Sequence, residues 1–341
     1  MPKRITSIKE IAKLAECSIA TVSNTLNNKG RISQEVRERV LEICQKHGYM
    51  PNSAGRNLRR QQNETIGLLF YPSCSEIFRN IFYAEVMEAL ETETAKQGFD
   101  LLLAGYDNSG STDSPPRFMQ QGKVDGVVML GRFPREDVRR INGYGMPLLQ
   151  LDNFRNQIKV DYVTSDGFNG CKQVVDELVS RGHRRIVFMA YSYEDTNADQ
   201  REAGFLSAVS AHDLPKTLSV SLRNFEDTPG AYKELKALME SKRPPTAVIA
   251  VNDTLAVELQ ECLQEDGYSI PNDLSIVGFD DDDICLKASP QMSSVRVDKK
   301  LLGKTGAQMI IERVNSPKDS TQSVHLPVEL VLRGSVGKPS S

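Results

Sequence analysis

The sequence predicts a small all-α head joined to a larger α/β body with parallel sheets. Three observations carry that reading. The chain has 341 residues, room for two or three domains at ~100–200 residues each. Its charge is divided. Residues 1–61 hold 12 Lys or Arg against 5 Asp or Glu, a net +7, which leaves 30 basic and 40 acidic residues, a net −10, for the rest. The apolar period also changes near residue 65, from short helical spacing to strand-like runs alternating with amphipathic helices. A compact basic head on an acidic body is the footprint of a nucleic-acid module carried by a separate domain.

Ser7-Ile8-Lys9-Glu10 forms a capping box, with Ile8, Ile11, Ala12 and Ala15 following at helical spacing, so helix one covers about 7–14. A tight turn at Glu16-Cys17 leads to Ser18, which caps a second helix facing inward with Val22 and Leu26. After the loop 27–30, Ser33 caps a third helix with Val36, Val40 and Ile43 on its buried side, stopping near Gly48. Two short helices joined by a turn of this length are a helix-turn-helix, whose second helix lies in the major groove. The outward residues of that helix suit the task. The hydroxyls of Ser18, Thr21 and Ser23 match phosphate contacts, which position without reading sequence. Ile19, Ala20 and Asn24 face base edges, where Asn pairs bidentately with adenine and a small apolar side chain meets a thymine methyl.

The body begins with the buried-strand run Thr65–Phe70, followed by a helix over 80–97. Strands follow at Leu101–Ala104, Val127–Leu130 and Leu148–Leu151. A second set has helices over 168–181, 200–211, 230–241 and 253–266, with strands Ile186–Ala190, Ala247–Val251 and Ser275–Gly278. Alternation of this kind builds parallel sheets, and ligands sit beyond the carboxyl ends of their strands. Asp166, Asn252 and Asp253 are candidates on that rule.

Composition excludes other classes. Hydrophobic content of 39% and charged content of 26% are ordinary for a globular protein. No apolar run approaches the ~18 residues of a membrane span. Met1-Pro2-Lys3-Arg4-Ile5 leads into no apolar signal core, so a cytoplasmic location is expected. The six cysteines are scattered without a CxxC pair, and the four histidines lack partners at metal spacing, so no disulfide, metal or cofactor is expected. No nucleophile elbow, P-loop or telling pair of carboxylates points to an enzyme.

At the level of motifs, Thr6–Ala15 (TSIKEIAKLA), Ser18, Thr21-Val22-Ser23, Leu26-Asn27, Val36-Arg37-Glu38-Arg39-Val40 and Gly48-Tyr49-Met50-Pro51-Asn52 closely resemble the LacI/GalR family of bacterial transcription regulators. The resemblance runs to about residue 333. It implies a helix-turn-helix domain over 1–50, a hinge over 51–61 and an effector-binding and dimerisation body over 62–335, with 336–341 as tail. The body resembles type I periplasmic sugar-binding proteins. Three crossovers near 162, 290 and 323 would divide it into an N-lobe of about 62–161 and 292–322 and a C-lobe of about 162–291 and 323–335. Residues 52–59 are then a hinge helix that orders on the operator. Asn52 and Arg56 meet DNA there, Arg59 and Arg60 add phosphate attraction, and Leu58 is an apolar wedge in the minor groove.

The resemblance also assigns effector contacts to Arg201, Asp280, Phe225 and the pair Phe82-Tyr83, which with Asp166, Asn252 and Asp253 suit a polyhydroxylated ring. The run Asp280–Asp283 reads as a solvated loop with one ligand contact rather than a metal site. Departures from the family are Glu16 at a turn position that favours a left-handed backbone, Gly55 in the hinge, a loop-forming stretch Asp107–Pro116 and an insertion between Tyr71 and Asn80. The expected function is a homodimeric repressor of carbohydrate-related genes, bound to a palindromic double-stranded operator and released by a sugar or sugar-derived effector. A regulator of the same build that needs a purine or partner protein as corepressor stays open, as does, further off, a periplasmic-type binding protein. The tail lacks the leucine heptad of a tetramerising coiled coil.

Overall fold

A computed structural model describes residues 7–26, 30–49, 62–71, 80–106, 115–155, 157–215, 220–317 and 320–340. The chain divides into two compact units, 1–63 and 64–341.

The first unit holds α1 (Ile8–Leu14), α2 (Ile19–Leu26) and α3 (Gln34–His47). Ile11, Ala12, Ala15, Val22, Val40 and Cys44 form its core. Ser7 Oγ accepts from Lys9 N and Ser18 Oγ from Thr21 N, so both predicted caps use their side chains. Ser33 stands at the N-cap of α3 but makes no side-chain cap bond, a correction to the expected cap there. Gly48 ends α3 at φ +60°. Glu16 lies at φ +49°, so the turn between α1 and α2 does place a non-glycine residue in the left-handed region.

The second unit contains two six-stranded sheets. The first has β1 (Thr65–Phe70), β2 (Asp100–Gly105), β3 (Gly126–Leu130), β4 (Leu148–Leu151), β5 (Asp161–Ser165) and β11 (Ser323–Leu326), in the order β11-β5-β4-β3-β1-β2 and parallel throughout. The second has β6 (Ile186–Met189), β7 (Val220–Leu222), β8 (Ala247–Ala250), β9 (Ser275–Asp280), β10 (Ser293–Val297) and β12 (Val328–Val331), in the order β12-β10-β9-β8-β6-β7, with only β12 antiparallel. Apolar runs such as Ala247–Ala250 are buried at every residue, as strands covered on both faces must be.

The helices, in chain order, are α4 (Ile81–Lys96), α5 (Arg117–Gln120), α6 (Arg135–Asn142), α7 (Gly167–Ser180), α8 (Thr196–Ala211), α9 (Thr228–Met239), α10 (Asp253–Glu265), α11 (Ile284–Lys287) and α12 (Lys299–Asn315). Two glycines set close helix approaches. A Cβ at Gly303 of α12 would collide with the Val86 carbonyl of α4, and one at Gly204 of α8 with the Phe168 carbonyl of α7. Among the described residues no helix is long and apolar enough to cross a membrane.

The chain leaves the first sheet after β5, leaves the second after β10 to place α12 on the first sheet, and passes between sheets once more at Pro327. These points fall a few residues beyond the expected 162, 290 and 323. The crossing strands run to the end of the sheet they leave before the chain changes lobe. The end of the chain is also less separate than expected. Val336 is buried, Ser335 Oγ donates to Ile276 O and Gly337 N donates to Ser275 Oγ, so residues 335–337 pack on the second sheet.

Candidate functional site

In the head, α2 presents the face expected of a reading helix. Val22 and Thr25 are buried, while Ser18, Ile19, Ala20 and Asn24 are exposed and Thr21 and Ser23 half-exposed. Ser18 and Thr21 also bond each other at 2.9 Å, which fixes the start of the helix. The hinge residues Asn52, Arg56 and Leu58, with Gly55, Arg59 and Arg60, lie outside the described residues, as do most of the insertion after Tyr71 and the stretch 107–114.

In the body, a cavity of about 280 Å³ lies where the carboxyl ends of both sheets meet. This is the place an open α/β sheet reserves for ligand. Of the eight expected effector residues, Phe82, Tyr83, Arg201, Asn252 and Asp280 line it. Three do not. Asp166 is the N-cap of α7, accepting from Asn169 N and Nδ2 at 3.0 and 2.6 Å. Phe225 is buried behind the wall, edge-on to Tyr191 with ring centroids 5.8 Å apart. Asp253 is turned inward, where its carboxylate accepts from Ser294 Oγ at 2.6 Å and from Asp282 N at 2.8 Å.

Arg201, buried on α8, organises the second-lobe wall. Its Nη2 donates to Asp280 Oδ1 at 3.1 Å, its Nη1 to the Val251 carbonyl, and its guanidinium lies 3.6 Å from the Phe279 ring centre. Burial pushes the Asp280 carboxyl well up, against the pull of Arg201. The aspartates that follow are held by cations of the protein. Asp281 pairs with Arg296 and Arg333, and Asp282 with Lys299.

Sequence reasoning missed the other half of the site. Asp152 and Asn153 follow β4, Arg132 follows β3, and Tyr191, Tyr193, Asp195 and Asn197 follow β6, all on the cavity wall. Asp152 is buried at φ +74° and accepts from Tyr83 Oη at 3.1 Å and Asn197 Nδ2 at 3.2 Å. Burial pushes its carboxyl up to about 6, with Arg201 opposing. The same burial, and Asp152 beside it, raises the Tyr83 phenol well above its ordinary value. Every one of these residues obeys the carboxyl-end rule already used for Asn252, so the signal was present and was applied to too few strands.

Several of these groups bridge the lobes. Asn153 Nδ2 donates to Asp195 Oδ1 at 2.7 Å, Asn197 Nδ2 reaches Asp152, and Arg155 Nη1 donates to Thr196 Oγ1 at 3.2 Å. The Arg132 guanidinium lies 3.7 Å from the Tyr193 ring centre. A ligand here touches both lobes at once.

Comparison with known proteins decides what this combination belongs to. Residues 7–52 match the family described as bacterial regulatory proteins, lacI family, and residues 175–336 match the periplasmic binding protein-like domain. The chain joins a lacI-family DNA-binding domain to a periplasmic-binding-protein-like domain, the build of LacI-family repressors. It is a DNA-binding transcriptional regulator and not an enzyme. The ribose operon repressor of Haemophilus influenzae is 28% identical to it, over 97% of this chain and 98% of that one. The LacI-family regulator from Enterococcus faecium solved with bound ribose is 28% identical, with a TM-score of 0.67 over 80% of this chain and 99% of that one. The lac repressor dimer bound to operator and the anti-inducer ONPF shares the fold, with a TM-score of 0.80 at 20% identity over 98% and 100% of the two chains.

Proposed function

We propose that the protein is a cytoplasmic, homodimeric repressor of carbohydrate-related genes, controlled by a sugar that binds between the lobes of its body. The observation that carries this reading is the cavity itself, whose polar groups come from both lobes and bond across the gap. Asp152, Asn197, Arg201, Asn252 and Asp280 offer several donors and acceptors to a polyhydroxylated ring, and Phe82 and Tyr83 offer apolar faces. The ribose bound by the Enterococcus faecium regulator supports a sugar as ligand class.

A ligand touching both lobes has different affinities for different lobe orientations, so it shifts the equilibrium between them. In this reading α2 reads each half of a palindromic operator, which requires two copies. The linker 51–61 couples the body to the head through Asn52, Arg56 and Leu58. The body divides into the two lobes described above.

Operator titration at fixed salt, with and without sugars, tests the proposal. A sugar that weakens operator binding at least tenfold is expected. A sugar that instead tightens it would make the protein a corepressor-dependent regulator. No sugar effect of either sign would remove the effector assignment.

A further inference from the structure

The charges around the cavity narrow the ligand class, given that the cavity is the sugar site proposed above. Three cations close to the carboxylates are already engaged by protein oxygens. Arg201 is held by Asp280 and the Val251 carbonyl, and Lys299 by Asp282 and the carbonyls of Asp280 and Asp281. Buried Arg155 donates to the Phe133 carbonyl and to Thr196. Arg132 is laid on the Tyr193 ring, with Asp195 two residues further along the same segment. Asp152 is different. Its carboxylate is buried, and its hydrogen-bond donors are the neutral groups Tyr83 Oη and Asn197 Nδ2. Among the described residues no lysine or arginine comes within ion-pair distance of it.

We propose that this cavity selects an uncharged sugar of a single ring and rejects sugars bearing a phosphate or carboxylate, with Asp152 as the discriminating residue. A hydroxyl both donates and accepts, so it can meet a carboxylate that lacks a cation. A phosphate or carboxylate only accepts, and beside Asp152 it places like charges in a poorly solvated space. Buried atoms on the wall also call for a group of both kinds. Asn153 Oδ1 is an acceptor and Arg201 Nε a donor, and neither has a protein partner. The strained backbone of Asp152 fits a residue held in place for binding rather than for packing. The volume of about 280 Å³ falls at the foot of the ~300–1,000 Å³ range of drug-sized sites, which favours one ring over two. A planar base finds no free sandwich between Tyr191 and Tyr193. Tyr191 and Tyr193 stack on each other at 5.2 Å, and Arg132 covers a face of Tyr193.

The test is calorimetric titration of the full chain with neutral pentoses and hexoses, their phosphates and the corresponding uronic acids. One neutral monosaccharide is expected to bind, and its phosphate or uronic acid to bind about 100-fold more weakly. Asp152→Asn should narrow that gap by about tenfold or more, with far-ultraviolet circular dichroism of the variant reporting that it is folded. A uronic acid or sugar phosphate that binds tighter than its neutral parent would overturn the selectivity while leaving sugar sensing intact. Silence across the whole panel would overturn the sugar reading itself. The wild-type comparison decides the selectivity even if Asp152→Asn fails to fold.

Discussion

Replacing Asp152 with Asn should stabilise the body while damaging effector binding. Burial raises this carboxyl from 3.8 to about 6. A shift of about two units corresponds to roughly 3 kcal/mol by which the charged form is disfavoured in the folded protein at neutral pH. Asn removes that charge. It keeps one acceptor for Tyr83 or Asn197 and exchanges the other for a donor, at a cost of about 1 kcal/mol. The left-handed backbone at φ +74° suits Asn at least as well as Asp. The net gain is about 2 kcal/mol, or roughly 4 °C in the melting temperature of the body. The sign with pH follows from the raised value. The folded state binds more protons than the unfolded one between about pH 4 and pH 6, so the contribution of Asp152 to stability is present below about pH 4 and lost as pH rises through 6. The advantage of the variant should therefore be complete above about pH 7, shrink to nothing between about pH 4 and pH 5, and reverse by about 1 kcal/mol below that. Thermal melts of both proteins across this range check it. A variant that melts lower than wild type at pH 7.5, or a difference independent of pH, would refute the reasoning.

Other perturbations have equally definite outcomes. Arg201→Ala leaves the half-buried Asp280 without its cation, so it should destabilise the body by about 3 kcal/mol and abolish the effector response, read by melts and operator titration with and without sugar. Glu16→Gly relieves the left-handed turn and should stabilise the head by about 1 kcal/mol, measured by denaturant unfolding followed in the far ultraviolet. Asn24→Ala should relax base preference at one pair in each half-site by ~1–3 kcal/mol, visible in a competition against single-base operator variants.

Much of the architecture was legible because its signals are local. Thr65–Phe70 and Leu148–Leu151 were found at their observed bounds because a strand covered on both faces is a short, nearly pure apolar run. The strained turn at Glu16 was legible through the resemblance to the LacI/GalR family, whose pattern favours a left-handed backbone at that position. What escaped depends on contacts distant in sequence. β10, β11 and β12 carry polar residues, as in Ser293-Ser294 and Ser323-Val324-His325, and are strands because of the neighbours they cross to meet. In the site, Arg201 and Asp280 could be named from motif, but Asp152 could not. Its importance comes from burial and from the cations that are engaged elsewhere, and neither is a property of the residues beside it. Asp166 and Asp253 misled for the converse reason, since an aspartate at the carboxyl end of a strand can equally cap the following helix or turn into the core.

The most direct test of the account is selection of genomic fragments by the purified full-length protein at a stated salt concentration, with and without neutral monosaccharides, because phosphate contacts make affinity salt-dependent. The account predicts enrichment of a two-fold symmetric site, lost when the right neutral sugar is added. Fragments recovered without symmetry or sequence preference, whether or not sugars are present, would contradict it.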